Sequence, residues 1–379
     1  MHLSYSKGYI LGTLLVACYK NGNNNIRVIA IAVMSGENGD NWIWFLGLIK
    51  SRLIVEPSFI ISDRDKGLLL ACKNVYPSIH HFYCMRHVME NFNSKFRNKE
   101  LKDMAWGLAM AQTTFEFFNK GEKLRGKNEN AFKWLNDIGF DKITLVHSPI
   151  CRYGMLTSNN VESMNSRFAE IRRLPILEFL LSMEKIVLVD MMEDLTTLST
   201  WNSTLTAYAA KDFAKNIKQA SMSSSVIRTG VQEFIVHVGH EQFQVSYGSQ
   251  RFKCSCGEPT LVRFPCMHYT AVLLTQGETV DGHCCPTWTK ESFSSGCQPF
   301  EVEYPLTILA ELTRSEMSPP LLGKKRGRPK KRRYESQQST IVLERQDDTS
   351  RRRTYKCRVC NVQGHNARTC RVRDVQNAS

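Results

Sequence analysis

The chain has 379 residues, of which 42% are hydrophobic and 10% aromatic, and this composition excludes a largely disordered protein. The formal net charge is +14, and residues 314–379 carry most of it, since they hold 18 Lys/Arg and 6 Asp/Glu, a net of +12. A basic tail predicts a polyanionic partner, most simply DNA or RNA. No apolar run is long enough for a transmembrane helix, so we expect no membrane partner.

The N-terminal region predicts a mixed α/β layer. Residues 8–20 and 26–34 have the pattern of two strands joined by an Asn-rich turn. Residues 9–18 also resemble a signal sequence, but the second apolar run favours a hairpin. The order β-β-α-β-α-β is completed by a helix with an apolar stripe, a third strand, a second helix and a fourth strand, and a further helix is expected after His87. The segments are Trp42–Ile49, 58–62, Lys66–Val75, 79–84 and the residues beyond His87.

The remaining chain before the terminal cysteines divides into six segments of different sequence character. Residues 93–150 have helical character and look like a helical insertion, and the helix pattern resumes over 157–195. A helical connector is expected over 196–231. Alternating strands follow over 232–275, then a short segment over 276–313, and then a polar, basic linker over 314–356 that we expect to be disordered.

The first Cys/His cluster follows the alternating strands. Its ligands are spaced C-x-C-x9-C-x-H, at Cys254, Cys256, Cys266 and His268. Three thiolates and an imidazole predict a closed, tetrahedral structural zinc site. The spacing and the strand-strand-site-helix context resemble the SWIM-type zinc finger. Buried thiols with an incidental histidine are the alternative.

The second cluster ends the chain, and its spacing is that of a CCHC zinc knuckle. The pattern C-x2-C-x4-H-x4-C places ligands at Cys357, Cys360, His365 and Cys370, with Gly364 supplying a permissive turn. We therefore expect two structural zinc ions per chain, and a reducing compartment suits such thiol-rich sites. Knuckles bind single-stranded or looped nucleic acid, which includes RNA, and a protein-binding role is the alternative.

Between the clusters lies a run of basic residues, 324–333. Its centre, Arg326-Gly327-Arg328-Pro329, resembles an AT-hook, an extended segment that fits the narrow minor groove of A·T-rich DNA. The same run predicts nuclear localisation. A solvated run of charges is the third interpretation.

The N-terminal layer resembles the Mutator-like (MULE) transposase domain. The matching residues are Ser62-Asp63-Arg64 after a strand, the C-x2-H pair Cys84 and His87, and the Asn-Asn-Val-Glu-Ser-Met-Asn stretch around Glu162. The resemblance covers residues 1–195 and implies a ribonuclease-H-like fold, interrupted here by the helical insertion. A SWIM finger and a terminal knuckle after such a core are frequent in plant members of the family.

The resemblance also implies a DDE site, in which three carboxylates hold two Mg²⁺ ions. It makes Asp63 the second acid and Glu162 the third. The first acid of the family falls before Met1, so we expect a degenerate site and no strand transfer by this polypeptide alone. Cys84 and His87 are either half of a metal site or structural residues.

Together these features predict a zinc-binding, DNA-binding protein derived from a Mutator-like transposase. Two alternatives stay open. An active transposase requires a longer N-terminus that supplies the first acid, and a domesticated transcription regulator requires only DNA binding. The sequence does not indicate an oligomeric state.

Overall fold

The N-terminal hairpin forms as the Asn-rich turn predicts. In the computed structural model, which describes residues 4–5, 12–158, 163–164, 166–248, 252–297, Cys357 and Cys360, strands β2 (Thr13–Lys20) and β3 (Ile26–Met34) pair antiparallel, and β1 (Ser4–Tyr5) pairs with β2. The side-chain oxygen of Asn21 accepts hydrogen bonds from two backbone N–H groups of the turn. Both faces of β2 are covered, because Leu15 and Leu14 belong to separate hydrophobic clusters.

A parallel strand pair follows, with a helix between its strands. Helix α1 (Gly39–Arg52) buries its predicted apolar stripe, and β4 (Phe59–Ser62), α2 (Lys66–Val75) and β5 (His80–Tyr83) make a β-α-β unit. Asp65 caps α2, since its carboxylate accepts the backbone N–H of Leu68 at 3.0 Å. These elements confirm the predicted mixed α/β layer.

The region predicted as a helical insertion forms a layer of short helices, and its place within a ribonuclease-H-like core stays a prediction. Helix α3 (Met85–Phe96) leads into α4 (Lys99–Ala109), α5 (Thr114–Lys127), α6 (Glu129–Ile138) and α7 (Phe140–Ile143). Polar caps at Asn98, Thr113 and Asn128 start three of these helices. Their apolar faces share one core with α3. His87 lies inside α3, so the predicted helix begins before this residue.

The prediction of helix over 157–195 is wrong for the first part of that range. Pro175 precedes helix α8 (Ile176–Ser199), and a 3₁₀ turn at Ile171–Arg173 leads into it. Proline disfavours helical geometry in the residue before it, and therefore it separates the two helical segments. Phe179 and Met183 of α8 pack with Leu14 of β2.

The expected connector and the segment predicted as the finger form one packed module. Helix α9 (Ala207–Ser223) continues into β6 (Ser224–Arg228), which pairs with β7 (Glu233–Val238), followed by β8 (Glu241–Ser246) and β9 (Lys253–Cys254) in an antiparallel sheet. A strand thus occupies residues expected to be helical, because Val226 packs into the core of the module.

Two helices complete the module, and the segment that follows them packs back against its start. Helices α10 (Glu258–Val262) and α11 (Met267–Gln276) follow the sheet, and a 3₁₀ turn at Pro286–Trp288 precedes α12 (Lys290–Gly296). The backbone N–H of Thr206 donates to the carbonyl of Trp288 at 2.8 Å, so the segment after the finger returns to the start of α9.

The chain divides into two compact units, Met1–Val302 and Glu303–Ser379. All of the helices and strands above belong to the first unit. Within the part of the chain that the structure describes, no helix combines the length and apolar character needed to cross a membrane.

Candidate metal centre and strand-end acids

The first Cys/His cluster converges on one point. The ligand atoms of Cys254, Cys256, Cys266 and His268 all lie within 4.8 Å of one another. Nδ1 of His268 is 3.6 Å from Sγ of Cys254 and 3.7 Å from Sγ of Cys266. Atoms bound tetrahedrally at about 2.0–2.3 Å from a zinc ion lie roughly 3.3–3.8 Å apart. The donor set and the spacing therefore fit a four-coordinate zinc ion.

Local structure explains how the ligands reach this point. Strand β9 ends at Cys254, and Cys266 caps α11, whose first turn carries His268. The His268 ring stacks on Phe243 with centroids 3.7 Å apart, which fixes its orientation. Cys254, Cys266 and His268 are buried, so the centre is closed to solvent in the manner of a structural site.

The electrostatics of the centre suit an anionic ligand set. Hydrogen bonds from Cys256 and Cys266 lower the pKa of the Cys254 thiol to about 4. Burial, with hydrogen bonds to Cys254 and Cys256, raises the pKa of the Cys266 thiol, so the cysteines compete for ionisation. A bound cation would remove this competition, because metal-bound cysteine is a thiolate.

Gly257 packs the metal-binding loop directly against the helical insertion. Its φ is 85°, and a Cβ at this position would lie 2.1 Å from the carbonyl oxygen of Gln112. The backbone N–H of Gly257 also donates to the carbonyl of Cys254 at 3.0 Å. Only glycine combines this conformation with this approach.

Asp63 stands where the sequence predicts, directly after β4, and two other carboxylates are its neighbours. Burial, with the charges of Asp65 and Asp63, raises the pKa of Glu37 to about 7. Oε1 of Glu37 is buried, and a contact with the Trp42 indole partly offsets this rise in the pKa of Glu37. The Asp65 carboxylate is engaged in capping α2. Sequence reasoning missed Glu37, because the contact depends on the packing of the β3–α1 turn against the end of β4.

These carboxylates do not form a compact metal cage. Among the described residues, the only group of three or more His, Cys, Asp or Glu ligand atoms that converge is the finger cluster. Glu162, the predicted third acid, lies outside the described residues. The magnesium site remains a prediction.

Cys84 and His87 form a polar pair beside Asp63. The Cys84 thiol is 1% exposed and accepts the backbone N–H of Ser158 at 3.2 Å. Burial opposes ionisation, but hydrogen bonds from His87 and Ser158 outweigh it and lower the pKa of Cys84 to about 6. The same bond raises the pKa of His87, with a contribution from Asp63. The backbone N–H of Cys84 donates to the carbonyl of Ser62 at 2.7 Å, so the pair lies at the strand end.

Two predicted sites fall largely outside the described residues. In the second unit, Cys357 is buried and Cys360 is half-buried. His365 and Cys370 of the knuckle, and Arg326, Gly327, Arg328 and Pro329 of the hook, lie outside the description. Both sites stay predictions.

Comparison with known proteins bears on the region that holds Asp63, Cys84 and His87. Residues 4–91 match the MULE transposase domain. The chain is also similar to a protein named transposase for insertion sequence element IS1201, from Lactobacillus helveticus, with 26% identity over 155 residues. That similarity covers 38% of this chain and 41% of the relative, less than half of its length.

The two matches support the predicted derivation from a Mutator-like transposase. The MULE match covers the N-terminal part of the chain, and the converging Cys/His cluster lies beyond it. The SWIM-type finger, the knuckle and the plant arrangement stay predictions.

Proposed function

We propose that this protein is a zinc-stabilised DNA-binding protein derived from a Mutator-like transposase. One observation carries the proposal: a Cys₃His cluster with zinc-like spacing lies in the same chain as a region that matches the MULE transposase domain. The SWIM-type finger holds one zinc ion, and the knuckle at Cys357, Cys360, His365 and Cys370 holds the second. These ions supply folding free energy, because the ligands of a structural zinc site are brought together only in the folded chain.

DNA is the proposed partner of the basic tail. The net charge of +12 over residues 314–379 favours binding to phosphates with release of counterions. Arg326 and Arg328 would enter the minor groove of A·T-rich DNA, and the knuckle would contact unpaired bases. The same basic run is proposed to direct the protein to the nucleus.

We propose a ribonuclease-H-like core whose acid site is incomplete for DNA joining. Asp63 follows β4, as the second acid of a DDE site does, and Glu162 is the proposed third acid. The carboxylates near Asp63 do not converge among the described residues, and one of them, Asp65, is committed to capping a helix. Mg²⁺ would supply activation of water or of a 3′-hydroxyl in such chemistry. An active transposase is the alternative, and a domesticated transcription regulator fits the DNA-binding proposal.

The DNA-binding proposal is tested by fluorescence anisotropy with duplex and single-stranded DNA at several salt concentrations. The full chain is compared with a chain that ends at residue 313 and with the double substitution Arg326→Ala/Arg328→Ala. We expect the truncation to remove most of the affinity and to flatten its salt dependence. We expect the double substitution to reduce the preference for A·T-rich duplex. Equal affinity of the full and shortened chains would refute the tail-centred proposal.

The catalytic proposal has a separate test. Purified chain is incubated with transposon-end DNA and Mg²⁺, beside a Glu162→Ala variant. We expect neither to cut or join DNA. Cleavage by the native chain that disappears in the variant would establish the active transposase instead.

A further inference from the structure

Helix α9 carries three exposed lysines, which we call the lysine row. Lys211, Lys215 and Lys218 follow one another at intervals of four and three residues, and side chains at this spacing lie on one face of a helix. The row extends over about 10 Å of the helix axis. It belongs to the first compact unit, whereas the basic tail belongs to the second.

The lysine row lies on the side of α9 opposite its buried side. Ala209, Asn216 and Ala220 are buried, and their spacing places them together on the face that packs into the module. At 3.6 residues per turn, the middle of the lysine row points roughly 150° away from the middle of this buried face. The row therefore faces solvent, and its lysines have no part in the core of the module.

Neighbouring carboxylates do not neutralise the lysine row. None of the three lysines forms a salt bridge with an acidic residue in the part of the chain that the structure describes. Asp212 and Glu258 lie at the flank of the helix and are half-buried. Lys215 interacts electrostatically with Glu258 but does not pair with it. The face keeps an unpaired positive charge.

Helix α5 shows how the cations of a solvent-facing helix are usually arranged. There Lys120 pairs with Glu116 at 2.6 Å and Arg125 pairs with Glu122 at 2.8 Å. In the lysine row the residues three and four positions apart are like charges, and such pairs destabilise a helix. A bound polyanion would offset this repulsion.

We propose that the lysine row is a second DNA-contacting surface, which binds the phosphate backbone of duplex DNA irrespective of base sequence. Lysine ammonium groups are point charges, and contacts to phosphate position a protein on DNA without reading its sequence. Over about 10 Å of axis, each strand of B-DNA carries about three phosphates, as many as the row has lysines. The inference rests on the proposed DNA binding and adds a contact made by the folded unit.

Two other occupants of this face fit less well. The basic tail at residues 314–379 has a net charge of +12, so the lysine row would repel it. An anionic membrane would require an apolar face along the helix. Among the described side chains of α9, the exposed large apolar ones are Tyr208 and Met222, which lie at its two ends.

Fluorescence anisotropy of the zinc-loaded full chain on duplex DNA, over a series of salt concentrations, tests the proposal. Lys211→Gln/Lys215→Gln/Lys218→Gln should lower the affinity at least about tenfold at about 50 mM salt. It should also reduce the slope of log affinity against log salt by about 2–3, since each phosphate contact contributes about 0.9. The loss should be equal for A·T-rich and G·C-rich duplexes. Lys211→Arg/Lys215→Arg/Lys218→Arg, which keeps the charges, should keep the native slope.

The matched control is Lys120→Gln/Arg125→Gln/Lys127→Gln, which removes the same number of positive charges from α5. These three side chains already pair with glutamates, so the slope should stay close to the native one. Circular dichroism and zinc content should show that all variants are folded. An equal loss in this control would overturn the proposal, because the effect would then be one of net charge.

The remaining outcomes separate the lysine row from the proposed function. A native slope in the α9 glutamine variant, with the full chain still binding DNA, would overturn the row and leave the tail as the DNA contact. A full chain that binds no DNA would refute the proposed function and the row together. A loss confined to single-stranded DNA or to RNA would overturn the assignment to duplex DNA.

Discussion

Asp194 accepts two hydrogen bonds from the guanidinium of Arg27, one from Nε at 2.8 Å and one from Nη2 at 2.6 Å. The pair joins strand β3 to helix α8, and both side chains are at least seven-eighths buried. Asp190, one turn earlier, pairs with Arg167 at 2.7 Å and lies 3.7 Å from Arg27. This network fixes α8 on strand β3.

Removing Arg27 should destabilise the first unit strongly. Arg27→Met leaves the buried Asp194 carboxylate without its bidentate partner, and breaking a buried pair in this way costs roughly 3–5 kcal/mol. Urea unfolding followed by circular dichroism measures the loss. Lys127→Met is the matched control, since Lys127 and Glu100 form a pair that is half exposed or more and should contribute less than about 1 kcal/mol. Similar losses in both variants would contradict this account.

Removing one finger ligand should release one zinc ion per chain. Cys266→Ser replaces a buried thiolate that the other three ligands need for a closed site, and we expect a loss of at least about 3 kcal/mol in the stability of the finger. Metal analysis and thermal unfolding measure the two effects. Cys297→Ser, at a half-buried cysteine outside the cluster, should change neither. Unchanged zinc content in Cys266→Ser would remove the basis of the finger assignment.

Local patterns explain why much of this structure could be predicted. The apolar spacing of α1, the Asn-rich turn and the Cys/His spacing each depend on residues close in sequence, and each is present as expected. The errors have equally local causes. Pro175 indicated the start of α8, and the Val226-Ile227 pair indicated a strand at the end of the expected connector. The proximity of Glu37 to Asp63 could not be read from the sequence, because it depends on tertiary packing.

Gly257→Ala should prevent normal packing of the finger on the insertion. The substitution adds a methyl group 2.1 Å from the Gln112 carbonyl and also strains a positive φ, so we expect a loss of about 3 kcal/mol or more. Gly282→Ala is a close control, because Gly282 has a φ of 79° but nothing within 4 Å of an added Cβ. It should cost only about 1 kcal/mol. Calorimetry that ranks the two variants equally would show that the close contact is unimportant.

Glu37 should make stability depend on pH between about 4.5 and 7. The pKa of Glu37 is about 7 in the folded chain against an ordinary value of 4.5. As pH rises, Glu37 therefore loses its proton at a lower pH in the unfolded chain than in the folded chain. The stability linked to protonated Glu37 is complete below about pH 4.5 and is lost as pH rises through about 7. Glu37→Gln should therefore stabilise the protein at pH 8 by about 1 kcal/mol, after allowance for solvent screening.

Urea unfolding of Glu37→Gln at pH 5 and pH 8 measures this difference. Asp40→Asn, which removes an exposed carboxyl in the first turn of α1, serves as the control and should not reproduce this difference. A Glu37→Gln effect of the same size at both pH values would contradict the raised pKa of Glu37 in the folded chain.

The contact between Gly257 and Gln112 has a consequence for how such proteins can diversify. A finger loop transplanted from a relative would contact the corner between α4 and α5, which contains Gln112. Even one methyl group at the position of Gly257 would collide with the backbone of this corner. The loop and the corner must therefore change together over evolution. A chimaera that exchanges the finger alone should fold poorly, and one that also exchanges the corner should recover.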